Sequence, residues 1–526
     1  MKNLTIILSV LVLLGCSPKK EKADGILTTD SLAYHPIRVD TSGMILPWFS
    51  ADLGKSYDTV ISLTWNFWKN MESDSNGIRY YMNHQVWKPE HDMRGLGGDQ
   101  ISMALSSWNM LHMYTGDTSI LSNMKYMADY YLAHSLSDST DAWPFLPYPY
   151  NTDIHSGRYD GDMRLGKGYL QPDKAGSFGH ELVVLYMKTD DKKYMNAAIR
   201  IAKTLAHKVV PGDSLNSPLP FKVHAKTGEI GKLFDRSGEI RSSYTTNWAG
   251  TLELFEDLYK LDAKNTDLYK PAFNTILKWM NRYPVQNNRW GPFFEDIMGW
   301  SDTQINAMTF AWYILLHIEL FPNGLHDVKR SIDWVHQELG NKEWEKYGVL
   351  AIHEQTAYRV PGNSHTARQA AVELTYCGFA GDSALRVNAI RRLNWATYMV
   401  DWDGANRYPR DDIWLTDGYG DYIRHYLRAM ACNPALAPSD RDHMLSTTSV
   451  IKRISYRNDV IIYYPFENRH REVFRLTKKP RKVTVGGIPM PEVECSCQMG
   501  YNWKKLESGG VLTINTDSGN ETYVVF

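Results

Sequence analysis

The sequence lacks the surplus of basic residues that a nucleic-acid-binding protein needs. Its 526 residues include 58 Lys and Arg against 59 Asp and Glu, which gives a net charge of −1. Proteins that bind nucleic acid neutralise its phosphates with clustered Lys and Arg. Nucleic acid is therefore not expected as a partner. The length allows one large core plus a smaller domain.

Cysteine is also scarce, with five in the whole chain. Cys377 lies in an apolar helical run, where a buried cysteine behaves as a small hydrophobic residue. Cys495 and Cys497 are spaced too tightly for an easy mutual disulfide or for a zinc-binding CxxC pair. The sequence therefore predicts neither a disulfide framework nor a metal site.

Cofactor motifs are missing from the sequence as well. It has no P-loop and no dinucleotide-binding fingerprint, and His180-Glu181 lacks the second His of a zinc-protease helix. Asp401-Trp402-Asp403-Gly404 has its Gly misplaced for an EF-hand calcium loop and is more typical of a hairpin turn. No cofactor is predicted.

The apolar segment at residues 4–14 is too short to span a membrane as a mature helix. It ends in Leu13-Leu14-Gly15-Cys16, which resembles the lipobox of bacterial lipoproteins. The resemblance implies that residues 1–15 are a signal peptide. It also implies that Cys16 is lipidated and tethers the protein to the cell envelope, in the periplasm or at the outer-membrane surface. Residues 16–49 would then form a tether and an extended lead to the fold. The alternative is a secretory signal with an incidental cysteine.

Residues 50–432 repeat one pattern. A polar, Gly-rich loop leads into a helix of small and apolar residues, and a short turn with Gly-Asp or Asp connects it to a more amphipathic helix. The first helices of these pairs start near residues 99, 177, 244, 303, 365 and 418. A helix at residues 56–71 supplies the outer partner of the first. Solenoid repeats have short loops of constant length, whereas long loops are usually functional. A closed mainly-α ring of about twelve helices is therefore predicted.

This architecture resembles the six-hairpin, (α/α)6-toroid superfamily of polysaccharide hydrolases, lyases and epimerases. The resemblance covers about residues 50–432, and no single family's catalytic motif matches residue by residue. It implies a carbohydrate substrate and a cleft formed by the loops that lead into the inner helices, here called lead-in loops. We expect the protein to act as a monomer.

A smaller all-β domain follows the helices. Residues 433–447 carry turn signals at Asn433-Pro434 and Pro438 and are predicted to be a linker. Residues 448–526 contain short β-type runs separated by Gly-rich turns, which predicts a β-sandwich. We expect the sandwich to pack on the toroid, and the alternative is a carbohydrate-binding module.

The fourth lead-in loop carries the most suggestive chemistry. It places the adjacent acids Glu295 and Asp296 among Arg289, Trp290 and Trp300. Glycoside hydrolysis needs one carboxylic acid to protonate the leaving oxygen and one carboxylate as base or nucleophile. Adjacent acids in an aromatic setting tend to push their pKa values apart. We therefore predict Glu295 and Asp296 as catalytic residues of a glycoside hydrolase, with Asp99 or Asp417 as partner; the alternative for Asp99 and Asp417 is a helix cap.

Arginines are frequent in the lead-in loops, and guanidinium groups suit carboxylates or sulfates. This pattern indicates an anionic glycan, such as one containing uronic acid, and the alternative is ordinary loop salt bridges. The predicted substrate-binding residues are Trp290, Trp300, Arg241, Arg289, Arg368, Glu354 and Tyr419.

An anionic substrate also allows β-elimination by a polysaccharide lyase. A lyase needs a base for the proton beside the uronate carboxyl and polar groups to neutralise that carboxyl. Tyr244 and His365 are candidates for the base, with Asn247 and Arg368 nearby in the predicted cleft. A third hypothesis is a non-catalytic glycan-binding lipoprotein.

Overall fold

The computed structural model of the protein describes residues 25–83, 95–235, 238–294, 299–407, 409 and 418–526. The helices are α1 Leu53–Lys69, α2 Tyr80–Asn83, α3 Gly98–Thr115, α4 Thr118–His134, α5 Pro172–Thr189, α6 Lys192–Lys208, α7 Ala249–Leu261, α8 Thr266–Arg282, α9 Pro284–Asn287, α10 Gln304–Leu316, α11 Gly324–Leu339, α12 Asn363–Ala380, α13 Ser383–Thr397 and α14 Gly418–Cys432. In the described part of the chain, no helix combines the length and apolar character needed to cross a bilayer.

Two concentric rings of helices form the larger part of the fold. The inner helices pack side by side in the order α3, α5, α7, α10, α12 and α14, and α14 packs back on α3. The helices α4, α6, α8, α11 and α13 each pack outside the inner helix that precedes them, and α1 packs on α13 and α14. The ring is closed, so the predicted (α/α)6 toroid is confirmed.

The sequence pattern explains which helices lie inside. The inner helix α10 buries ten of its thirteen residues, as expected for a helix surrounded by neighbours. The outer helix α6 buries one stripe, which includes Tyr194, Ala198, Ile201 and Leu205, and leaves its other face to solvent.

The Gly-Asp turns fix the hairpins. Gly116 and Gly381 end α3 and α12 with φ of 72°, a left-handed conformation that glycine adopts easily. The following Asp117 and Asp382 cap the outer helices, and their carboxylates accept hydrogen bonds from the backbone N–H of Ser119 and Leu385. Each turn therefore stops one helix and starts the next.

The strands are β1 Ile26–Leu32, β2 His35–Val39, β3 Gly161–Asp162, β4 Gly166–Lys167, β5 Tyr169–Leu170, β6 Val223–His224, β7 Lys232–Asp235, β8 Gly238–Arg241, β9 Gly340–Asn341, β10 Ala351–Ile352, β11 His443–Thr447, β12 Ile451–Arg457, β13 Val460–Pro465, β14 His470–Leu476, β15 Lys482–Val485, β16 Ile488–Pro489, β17 Gly500–Lys505, β18 Gly510–Thr516 and β19 Thr522–Val525. The last nine form two antiparallel sheets in the orders β11-β14-β18-β17 and β12-β13-β19-β15-β16. The predicted small β-rich C-terminal region is confirmed. Its first strand begins at His443, inside the stretch predicted as a linker.

The sandwich covers the C-terminal ends of α3 and α5. The Tyr456 hydroxyl donates to the Met113 carbonyl, and His443 Nδ1 lies 2.8 Å from the Tyr114 carbonyl. Lys188 on α5 donates to the Ile451 carbonyl at 2.6 Å. The first two contacts satisfy carbonyls that the end of α3 leaves unpaired, and the third joins α5 to β12. The sandwich therefore lies at the end of the ring opposite the lead-in loops.

One expectation about cysteine is wrong. Cys495 and Cys497 form a disulfide, with their Cα atoms 5.2 Å apart. This separation lies within the normal range for a disulfide, because the turn between β16 and β17 brings the two residues together.

Candidate active site

All six inner helices start at the same end of the ring, because each is connected to the next through an antiparallel outer helix. The lead-in loops therefore converge at this end, here called the loop end. A cavity of about 210 Å³ runs along the ring axis, lined by α3, α5, α7, α10 and α14. At its loop end the cavity is lined by Asp99, Lys174, Asn247 and Phe293.

A hydrogen-bonded set on three elements forms this end of the cavity. Lys174 Nζ lies 3.2 Å from Asp173 Oδ2 and donates to the Phe293 carbonyl at 3.0 Å. Asn247 Nδ2 donates to the same Asp173 oxygen at 3.0 Å. The Lys174 ammonium also sits 3.1 Å from the centroid of the Phe293 ring. The set anchors the fourth lead-in loop over the start of α5.

The sequence reasoning missed Asp173 and Lys174. It placed the start of the second inner helix near residue 177, whereas α5 begins at Pro172. Proline at the first helical position is a recognised start signal. Reading that signal would have placed both residues in the first turn, at the loop end.

Asp99 lies in the first turn of α3 and is buried, with 6% of its surface exposed. Burial raises the pKa of its carboxyl, and the Lys174 ammonium opposes that shift only in part. Its Oδ1 accepts no hydrogen bond from any described residue. A Cβ at Gly97 would lie 2.2 Å from the Tyr150 hydroxyl and 2.8 Å from Asp99 Oδ1, so the close packing here requires glycine. The result is a carboxyl that holds its proton more readily than a free aspartate does, a property that suits a general acid.

His365 and Arg368 lie in the first turns of α12 and are both buried. Burial, aided by the Arg368 charge, lowers the pKa of His365 to about 3, so this imidazole is neutral at physiological pH. Its ring centroid lies 5.9 Å from that of Phe294. Arg368 forms an ion pair with Asp421 and donates to Gln304 Oε1 at 2.6 Å. Arg368 therefore cross-links three inner helices.

Tyr244, Arg289 and Trp300 form an aromatic and cationic platform. The Arg289 guanidinium lies 4.0 Å from the Trp300 ring centroid, and the Tyr244 and Trp300 rings lie 5.1 Å apart. Trp300 is 39% exposed, and its indole N–H donates to Asp302 at 2.8 Å. Among the described residues, Arg289 has no carboxylate partner. The platform therefore offers a ring face and a guanidinium to a ligand.

The Tyr244 hydroxyl does not have the properties of an activated base. It donates to the Arg289 carbonyl at 2.7 Å, and burial raises the pKa of the phenol above its ordinary value. Both effects favour the neutral phenol.

Other predicted binding residues lie elsewhere. Trp290 is fully buried, and its carbonyl accepts from Thr246 and Asn306. Tyr419 is fully buried and stacks on Phe67. These placements correct the prediction that the two rings face a substrate, since both fill the core.

The remaining predicted residues differ in exposure. Glu354 is buried, and its Oε1 accepts from Gln355 at 2.9 Å. Arg241 is exposed at the end of β8. Glu295, Asp296, Asp417 and Cys16 lie outside the described residues.

The closed double ring with lead-in loops at one end defines the (α/α)6-toroid class. Solved structures with this fold include a cellobiose 2-epimerase from Spirochaeta thermophila, at 12% identity and a TM-score of 0.53, covering 72% of this chain and 97% of that one. A sugar epimerase from a ruminal bacterium has 12% identity and a TM-score of 0.52, with 71% and 98% covered. A D-mannose isomerase has 10% identity and a TM-score of 0.51, with 72% and 96% covered.

These likenesses confirm the predicted (α/α)6-toroid fold. No protein-family model matches the sequence. No curated protein matches it significantly either.

Proposed function

We propose that the protein is a glycan-processing enzyme that hydrolyses a glycosidic bond, with Asp99 as the general acid. The observation that carries this proposal is the buried carboxyl of Asp99 at the loop end, whose pKa burial raises. A glycosidase needs one carboxyl that holds its proton at working pH and gives it to the leaving oxygen. Asp99 lines the axial cavity, so its proton is available to a bound ligand.

We propose Glu295 as the second carboxylate, with Asp296 and then Asp417 as alternatives. Support comes from the anchoring of the fourth lead-in loop. Lys174 donates a hydrogen bond of 3.0 Å to the Phe293 carbonyl, and Phe293 lines the same cavity as Asp99. Glu295 follows Phe294 directly in the sequence. Asp173 is less suited to this role, because it already pairs with Lys174 and Asn247.

The proposed substrate is an anionic oligosaccharide that contains uronic acid. The platform of Tyr244, Arg289 and Trp300 supports this substrate class. A half-exposed indole stacks on sugar rings, and the adjacent guanidinium can pair with a carboxylate in bidentate geometry.

A polysaccharide lyase is the first alternative. The geometry favours it less, because the Tyr244 hydroxyl donates to a carbonyl and its raised pKa opposes formation of a phenolate base. His365 is neutral, but the low pKa that burial imposes makes it a weak base.

A sugar epimerase or isomerase is a second alternative, favoured by the names of the solved structures that share the fold. Such reactions move a proton on the carbon beside the sugar carbonyl, which requires a base and a neutralising group.

One experiment separates these reactions. Purified protein is incubated with neutral and uronate-containing oligosaccharides in D2O. New reducing ends without an ultraviolet-absorbing product indicate hydrolysis, and an unsaturated product indicates elimination. Deuterium at the carbon beside the carbonyl, without cleavage, indicates epimerisation. The proposal expects hydrolysis, which Asp99→Asn and Glu295→Gln should each slow by about 10²–10⁴-fold with the fold intact. Asp517→Asn, at an exposed sandwich position, is the control.

We also propose that the protein is lipid-anchored at Cys16 in the cell envelope. Cys16→Ala should lose incorporation of a fatty-acid label and release the protein from membranes. Binding of glycans without turnover would instead support the non-catalytic lipoprotein hypothesis.

A further inference from the structure

The axial cavity extends well beyond the candidate active site. Glu181 lies on α5, seven residues after Lys174, which corresponds to about 10 Å along the helix. Between the two levels, Met103, Phe293 and Ile305 form an apolar cluster that lines the cavity wall. The part beyond this cluster, here called the deep half, is lined by His180, Glu181, Glu253, Thr309, Trp312 and Arg428.

Some charges in the deep half are already satisfied. His180 lies 3.0 Å from Asp257 and 3.8 Å from Glu253. Burial lowers the pKa of His180, but these carboxylates and Glu181 outweigh it and raise the pKa to about 10. His180 is therefore a cation held within its own cluster. Arg424, which also lines the cavity, pairs with Asp421.

Glu181 and Arg428 are different. Glu181 is 92% buried, since 8% of its surface is exposed, yet its carboxylate accepts no hydrogen bond from any described residue. Arg428 stacks on Trp312 at 4.7 Å and makes no ion pair within the described part of the chain. Both line the same cavity, and they do not form an ion pair with each other. A buried carboxylate without a hydrogen bond is costly, and a ligand that bridges these two groups would reduce that cost.

The size and the remaining lining groups define this ligand. The whole cavity of about 210 Å³ has room for one small molecule. Ser106 and Thr309 add hydroxyls that have no hydrogen-bond partner among the described residues. The walls therefore offer a carboxylate, a guanidinium and hydroxyls, which suit a small polyhydroxylated acid.

We propose that the deep half of the axial cavity is a second ligand site that binds a monosaccharide carrying a carboxylate. The ligand's carboxylate accepts hydrogen bonds from Arg428, and its hydroxyls donate to Glu181. The opening lies at the end of the ring opposite the lead-in loops, where Leu316, at the end of α10, is 52% exposed. This site does not depend on the reaction proposed above.

Calorimetry on the full protein tests the proposal with D-glucuronate, D-glucose and γ-aminobutyrate as probes. Glucuronate should bind more tightly than the other two. Arg428→Met should weaken glucuronate binding by at least about tenfold and change glucose binding little, because a charge-assisted hydrogen bond is lost. Glu181→Gln should weaken both sugars.

Controls assign the binding to the deep half. Ser106→Leu fills the cavity without changing charge and should abolish binding of both sugars. Glu256→Gln, on α7 but outside the axial cavity, should leave glucuronate affinity unchanged. Thermal melting confirms that each variant is folded. Absence of glucuronate binding, glucuronate binding that survives both Arg428→Met and Ser106→Leu, or tighter binding of γ-aminobutyrate would each overturn the proposal.

Discussion

The neighbouring inner helices α3 and α14 each bury one aspartate in their first turn, Asp99 and Asp421. The pKa values of these two carboxyls are shifted in opposite directions. Asp421 is 3% exposed and interacts with Arg368, Arg424 and His425. Burial alone would raise its pKa, but these partners hold the pKa of the carboxyl well below its ordinary value. Asp99 is 6% exposed, and burial raises its pKa because Lys174 and backbone N–H groups oppose the shift only in part.

The comparison shows that position does not decide the role of a buried acid in this ring. Asp421 is committed to an ion-pair cluster that joins α12 to α14, and its proton is absent at physiological pH. Asp99 keeps its proton more readily and lines the cavity. The number of cationic partners separates a structural carboxylate from a candidate acid.

The largest expected effect is on turnover. Asp99→Asn should lower kcat/KM by about 10²–10⁴-fold, the usual contribution of a general acid, while thermal stability changes little. A general acid must be protonated, so wild-type activity should fall as pH rises through the raised pKa of Asp99. Residual activity of the variant should lack this basic limb. An unchanged pH profile in Asp99→Asn would contradict the assignment.

The opposite pattern is expected for Asp421. Asp421→Asn leaves Arg368 buried without its counter-charge, which should cost about 3–5 kcal/mol of unfolding free energy. Urea denaturation followed by circular dichroism measures the loss. Lys452→Ala is the control, since its ion pair with Asp190 is exposed at the carboxylate and is worth little. If Asp421→Asn is as stable as wild type, the ion-pair cluster is not structural.

The fold was predictable because its signals are local. Gly116-Asp117 and Gly381-Asp382 each mark the end of one helix and the start of the next within two residues. The contacts that sort the site residues are distant in sequence, such as Arg368 with Asp421 and Asn247 with Asp173. The periodicity of the sequence does not indicate such long-range contacts. The roles of Asp99 and Asp421 therefore cannot be distinguished from the sequence alone.

The errors in the candidate site have equally physical causes. The sequence assigns Trp290 to the substrate because it shares a loop with two adjacent acids. In the structure this loop turns inward, and the Trp290 carbonyl accepts hydrogen bonds from Thr246 and Asn306. Trp300, of the same residue type and in the same loop, remains exposed. Composition alone treats the two tryptophans alike, and only the backbone path separates them.

Glu181 is a third buried acid, and its carboxylate accepts no hydrogen bond from any described residue. Burial raises its pKa from 4.5 to about 7, against the opposing charge of His180. From pH 4.5 to 7 the folded state keeps a proton that the unfolded state loses, so this group reduces stability as pH rises. Glu181→Gln should therefore stabilise the protein increasingly over this window, by up to about 3 kcal/mol above pH 7. Melting curves at pH 5 and pH 8, with Glu256→Gln as control, measure it; an equal effect at both values would contradict the shift.

The smallest expected effect concerns the platform, where no buried charge is involved. Trp300→Ala removes a ring that Arg289 stacks on, and a partly exposed cation–π contact contributes about 0.5–1 kcal/mol. KM for a uronate-containing oligosaccharide should rise by about three- to tenfold, because the sugar loses its stacking surface and Arg289 loses its orientation. The turnover number should change little, since Trp300 does not line the cavity that Asp99 lines. Phe379→Ala, an exposed aromatic at the end of α12, is the matched control at the opposite end of the ring. A fall in kcat with KM unchanged would place Trp300 with Asp99 rather than with the substrate.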